Sequence, residues 1–181
     1  MKNLIMVLAI VLSGYSAGAQ FTKATLQASG LTCALCTKAI NKSLEQLPFV
    51  SSVKADIKSS SFGIVFKDGS DVDIDAIRKG VEDAGFSVSK LQLTGSFSQV
   101  AIKNDTHATI NGKTYHFLSV ANRVLDGEQQ VTIVDRNFLG AKEFKKYSKS
   151  SNMSCVQTGK AGDCCAKDGV SGGTRIYHVT I

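Results

Sequence analysis

The sequence predicts an α+β protein, and three observations carry that expectation. Between residues 22 and 94 the apolar spacing switches between a period of two and a helical period, with two helical stretches among four extended ones. After residue 95, β-branched and aromatic runs alternate with Asn-Gly, Asp-Gly and glycine-rich breaks. A Cys-x-x-Cys, Cys33 to Cys36, stands where the first strand gives way to the first helix.

The chain has 181 residues and begins with Lys2 and an apolar run from Leu4 to Leu12, followed by small and polar residues up to Ala17-Gly18-Ala19. That is the pattern of a secretory signal peptide over residues 1–19. A spanning helix takes roughly 20 apolar residues, so stable membrane insertion is not expected, and cleavage after Ala19 predicts a periplasmic or secreted protein. The remainder suits two small domains better than one compact unit.

Leu26 and Ala28 alternate up to Gly30 and predict the first strand. Cys36, Ile40, Leu44 and Leu47 then fall at helical spacing until Pro48. Val53, Ala55 and Ile57 predict a second strand, and Phe62, Ile64 and Phe66 a third, the two forming a hairpin. Asp73 is the expected N-cap of a second helix whose buried stripe is Ile74, Ile77, Val81 and Ala84, with Gly85 as its stop. A last strand follows from Phe86 to Leu93. Strand, helix, strand, strand, helix, strand is the ferredoxin-like βαββαβ plan, expected over residues 22–94.

Two thiolates separated by two residues can face one soft ion from a single loop. Cu(I) and Hg(II) accept two sulfurs, whereas Zn(II) prefers four ligands. No Asp or Glu lies between Gln27 and Asn41, which leaves copper favoured, mercury chemically competent and zinc less well served. Cys36 falls in the first helical turn, where backbone N–H groups and the helix dipole stabilise a thiolate. A redox-active pair or short disulfide is the competing reading. A thioredoxin-like thiol-disulfide oxidoreductase is disfavoured, because the chain has no Trp and its only proline is Pro48.

Gly30-Leu31-Thr32-Cys33-Ala34-Leu35-Cys36, Leu47-Pro48-Phe49-Val50 and Glu82-Asp83-Ala84-Gly85-Phe86 together resemble the heavy-metal-associated domain family. Its members include copper chaperones, the metal-binding domains of copper-pumping ATPases and exported mercury-binding proteins. The resemblance covers the N-terminal unit only. It implies metal ligation by Cys33 and Cys36, and transfer of the ion to a metal-transporting membrane protein or another thiol-containing carrier. Two positions depart from the family pattern: Leu31 stands where Met is usual, and Phe86 where many soluble chaperones carry lysine.

Residues 95–181 predict a small, mainly β domain, for which a partly open barrel of OB type is one arrangement, with a short helix from Ala141 to Lys149. Its loop over residues 148–173 holds Met153, Cys155, Cys164 and Cys165. Adjacent cysteines bond each other only with strain, so Cys155 is expected either to pair with Cys164 or Cys165, or to join both in a second soft-metal site. His107, His116 and His178 are dispersed and read as surface or half-buried strand residues, with His178 the closest to the cysteine loop. The Lys142, Lys145, Lys146, Lys149 series reads as a solvated helix face. The net charge of +6 is spread along the chain without a Lys/Arg stripe interleaved with aromatics, so nucleic acid is not an expected partner. No nucleophile–base set or phosphate loop is evident, and catalysis is not expected.

Overall fold

The computed structural model describes residues 18–31 and 34–181. Most of the expected signal peptide, together with Thr32 and Cys33, lies outside these residues. The first half follows the expected order: β1 (Gly18–Ser29), α1 (Ala34–Glu45), β2 (Val50–Asp56), β3 (Ser61–Phe66), α2 (Ile74–Asp83) and β4 (Ser87–Ile102). β1 begins ahead of the expected cleavage point, with Gly18 opposite Ser98 and Ala19 opposite Phe97.

Each element forms for a local reason. Ile40 and Leu44 bring α1 onto the sheet, both fully buried, and the helix ends at Glu45, short of Pro48. β3 alternates as its sequence does, with Phe62, Ile64 and Phe66 inward and Val65 exposed. β2 is the edge strand, so its inner face is only half covered, and Ile57 lies beyond its end, exposed. Asp73 caps α2, its carboxylate accepting from the Ala76 N–H at 3.0 Å. Gly85, at φ +87°, ends that helix: its N–H bonds the Glu82 carbonyl and the Phe86 N–H bonds the Val81 carbonyl, a Schellman closure that needs a left-handed residue. The two helices touch each other, the Ser43 hydroxyl donating to the Gly80 carbonyl at 2.7 Å, and so share one face of the sheet.

The second half contributes β5 (Thr106–Ile110), β6 (Lys113–Phe117), β7 (Arg123–Ile133), α3 (Ala141–Ser148), α4 (Cys155–Thr158), a 3-10 turn (Asp163–Asp168) and β8 (Ile176–Thr180). These strands do not close a barrel of their own. They extend the first sheet into one of eight strands, in the order β2-β3-β1-β4-β7-β8-β6-β5. The physical reason is β4. It runs 16 residues without a break, straight across residues 94 and 95, offering one side to β1 and the other to β7. Phe97, Val100 and Ile102 therefore share a core with Leu26 and Ile77.

The loop expected over residues 148–173 is only partly irregular. Met153, Cys155, Val156, Cys165 and Val170 turn inward against Leu118, Phe144 and Ile176 in a second, smaller core. Short helical turns with irregular apolar spacing make that core, so no periodicity announces it. Arg175, at the foot of β8, ties the two halves together: its guanidinium donates to both Asp75 oxygens on α2, at 2.9 and 3.0 Å, and to Asp135 at 2.7 Å. Among the described residues no helix is long and apolar enough to cross a membrane.

Candidate metal centre

The first candidate site sits between β1 and α1. Gly30, at φ +83°, turns the chain out of β1, and a Cβ placed there would lie 3.9 Å from the Phe86 ring. Leu31 and Phe86 are both half-buried against the main core, so each family departure is absorbed as packing around the loop. Cys36 follows in the first turn of α1, which contains no acidic residue. It is half-buried, beside Leu35, which is 78% exposed. Cys36 is disulfide-bonded and its partner lies outside the described residues, as Cys33 and Thr32 do. Metal ligation by Cys36 accordingly starts from reduction to the thiol.

The second group of cysteines does not form the disulfide that was one expectation for it. Cys155, Cys164 and Cys165 are all free. Cys164 lies 3.7 Å from Cys165 and 3.4 Å from the Ser154 hydroxyl, sulfur unbonded to sulfur. Cys155 is fully buried, and two imidazoles stand against it. Its Sγ is 3.7 Å from His107 Nε2 and 3.6 Å from His116 Nδ1, and these three ligand atoms lie within 4.8 Å of one another.

The histidines are not surface residues. His116 is fully buried, and the side chains of His107 and His178 are each 1% exposed. The sheet register puts them side by side: His107 pairs with His116 across the β5–β6 hairpin, and His116 pairs with His178 across the parallel β6–β8 pair. They form one rung over three strands, facing α4. Half of this was readable beforehand, since a hairpin turning on Asn111-Gly112 places residue 107 opposite 116. The other half depends on β8 returning from far along the chain.

Burial dominates the electrostatics around the Cys155 thiol and the His116 ring. Burial, reinforced by His107 and His178, pushes His116 down to about 4, so it is unprotonated at neutral pH. Burial also pushes the Cys155 thiol up, with Cys165 and Cys164 adding to the effect. At Asp168 burial acts upward, but hydrogen bonds from the His107 ring and backbone outweigh it and hold the carboxyl below its usual range. The Ser154 hydroxyl holds Cys164 below the usual thiol value.

Comparison with known proteins bears on the first site. Residues 25–87 match the heavy-metal-associated domain. Copper chaperone CopZ of Bacillus subtilis (strain 168) is 33% identical over 66 residues, which are 36% of this chain and 94% of that protein. Copper-transporting ATPase 1 of Rhizobium meliloti (strain 1021) is 31% identical over 70 residues, 39% of this chain. This chain spans 8% of that ATPase, and 7% of an Arabidopsis thaliana ATPase relative. The solution structure of the yeast copper transporter domain CCC2A is 28% identical and covers 36% of this chain and 88% of its own, with a TM-score of 0.33. With nearly the whole of a one-domain relative reproduced in its first half, the chain belongs to the heavy-metal-associated domain family.

Proposed function

We propose that this chain is an exported soft-metal-binding protein that holds Cu(I) between Cys33 and Cys36 and passes it on by thiolate exchange. The observation that carries the reading is the position of Cys36. It opens α1 at an accessible turn inside the family match, next to the exposed Leu35 and with no carboxylate in the first turn. Helix N–H groups stabilise the charge of a thiolate there, and a two-sulfur set suits Cu(I) better than Zn(II). The copper chaperone and copper-transporting ATPases among the relatives support the same ion. The exposure of Leu35 beside Cys36 leaves room for an incoming thiolate to join the ion before the outgoing one leaves, so the partner is a thiol-bearing carrier or a metal-transporting membrane protein. The apolar leader supports a periplasmic or secreted setting for buffering, delivery or resistance.

The test is a Cu(I) titration of the reduced full chain against a competing chelator. Cys33→Ser and Cys36→Ser are each expected to lose one equivalent; retention of that equivalent in both overturns the reading. Hg(II) added to the same competition reports whether mercury displaces copper. The disulfide at Cys36 favours one second reading, thiol–disulfide exchange, and turnover of a disulfide substrate by the parent chain would select it.

A further inference from the structure

We propose that His107, His116 and Cys155, with His178 beside them, form a second metal site that takes one d10 ion of borderline-to-soft character, Zn(II) or Cu(I). It lies on the β5–β6–β8 side of the sheet and does not rest on the reading of Cys33 and Cys36.

The hydrogen bonds fix which nitrogen of each ring is available. A neutral imidazole carries one N–H and one lone pair. Asp168 faces His107 Nδ1 at 2.7 Å, Asp105 faces His116 Nε2 at 3.0 Å, and Asp135 takes His178 Nδ1. Each carboxylate claims an N–H, so the lone pairs sit on His107 Nε2, His116 Nδ1 and His178 Nε2. The first two point at the Cys155 sulfur. The third is buried with no hydrogen-bond partner, in a ring 5.2 Å from that of His116. Two buried lone pairs thus converge on one thiol, and a third stands unpartnered in the neighbouring ring. A cation at the thiol satisfies the two that face it, and a carboxylate behind each ligating imidazole is the usual support for one.

The distances agree with a shared ion. Bonds of about 2.3 Å to sulfur and 2.0–2.1 Å to nitrogen, at a tetrahedral angle, separate the two ligand atoms by about 3.6 Å. The S···N distances are 3.6 and 3.7 Å. Nitrogen and sulfur donors select the copper–zinc class over hard cations such as Mg(II) or Ca(II). On binding, the Cys155 proton leaves to solvent as the sulfur–metal bond forms, and the imidazoles bind through existing lone pairs.

The site lies well away from the β1–α1 junction that precedes Cys36. β4, β7 and β8 intervene between β1 and β6, and four strand steps at about 4.8 Å each amount to roughly 19 Å. Cys155 and His116 are fully buried, so an ion here is retained rather than exchanged.

The experiment uses the reduced full chain carrying Cys33→Ser and Cys36→Ser, which silences the first site. It is titrated with Zn(II), and anaerobically with Cu(I), each against a chromophoric chelator, and with Co(II) as a spectroscopic probe. One equivalent is expected, with thiolate-to-cobalt charge transfer and the d–d bands of four-coordinate cobalt. Adding Cys155→Ser should remove the charge-transfer band, and adding His107→Gln should weaken binding about tenfold or more. Whichever of Zn(II) and Cu(I) is held more tightly identifies the occupant. A folded background protein, by circular dichroism, that takes up neither ion overturns the proposal, as does a cobalt spectrum indifferent to Cys155→Ser. Failure of the first site would appear instead as equal stoichiometry in the parent and the double-serine chain.

Discussion

His107 and His116 stack with ring centroids 4.4 Å apart, and each turns one nitrogen to the same Cys155 sulfur while a carboxylate holds the other. Neither ring can rotate without surrendering both contacts. The hairpin pairing of β5 with β6 sets the stack, and Asp168 and Asp105 set the tautomers.

Those outer carboxylates are accessible enough to change. Asp105 is 35% exposed and Asp168 19% exposed in their side chains, so Asp105→Ala and Asp168→Ala should fold. Each is expected to lower affinity at the proposed histidine–cysteine site by about 10–100-fold. Chelator competition with Zn(II) measures it.

Asp135 is shared. One oxygen accepts from the His178 backbone N–H at 3.0 Å and from its ring, and the other accepts from Arg175 at 2.7 Å. Asp135→Ala removes the acceptor for both the His178 backbone N–H and its ring Nδ1, while Arg175 keeps Asp75. The expected loss is about 1–3 kcal/mol, read from urea unfolding monitored by far-ultraviolet circular dichroism.

The Asp75–Arg175 pair predicts part of the acid response. Burial works to raise the Asp75 carboxyl, but the hydrogen bond and charge of Arg175 outweigh it and hold the carboxyl below its ordinary 3.8. A carboxyl depressed on folding contributes its stability fully above the unfolded value, and loses it as pH falls through the folded one. With both side chains about one-third exposed, Asp75→Asn is expected to cost about 1 kcal/mol at neutral pH. That cost should shrink below about pH 4. Urea midpoints of parent and variant across that range should converge.

At Gly95, β4 lies hard against the β1 backbone. The β1 register jumps there, from Phe21 opposite Gly95 to Lys23 opposite Thr94, and a Cβ on Gly95 would lie 2.5 Å from the Gln20 carbonyl oxygen. The obstacle is backbone, which cannot swing aside as a side chain would. Gly95→Ala should therefore destabilise the chain by about 1–3 kcal/mol, visible as a lower thermal midpoint.

By itself the sequence determined what depends on near neighbours. The βαββαβ order, the Asp73 cap, the Gly85 stop and the placing of Cys36 in the first turn of α1 all follow from residues a few positions apart. Periodicity and capping report such local preferences directly. Tertiary structure alone decided what depends on strand partners. Whether β4 ends at residue 94 or continues is set by its two neighbours, the start of β1 some seventy-five residues earlier and β7 some thirty residues later in the chain. The row of His107, His116 and His178 exists because β8 returns parallel to β6, and Cys155 meets it because buried apolar groups fold α4 over that face. Hydrogen bonding between strands and burial against them act through space, so three histidines that look scattered along the chain become one rung of donors beside a buried thiol.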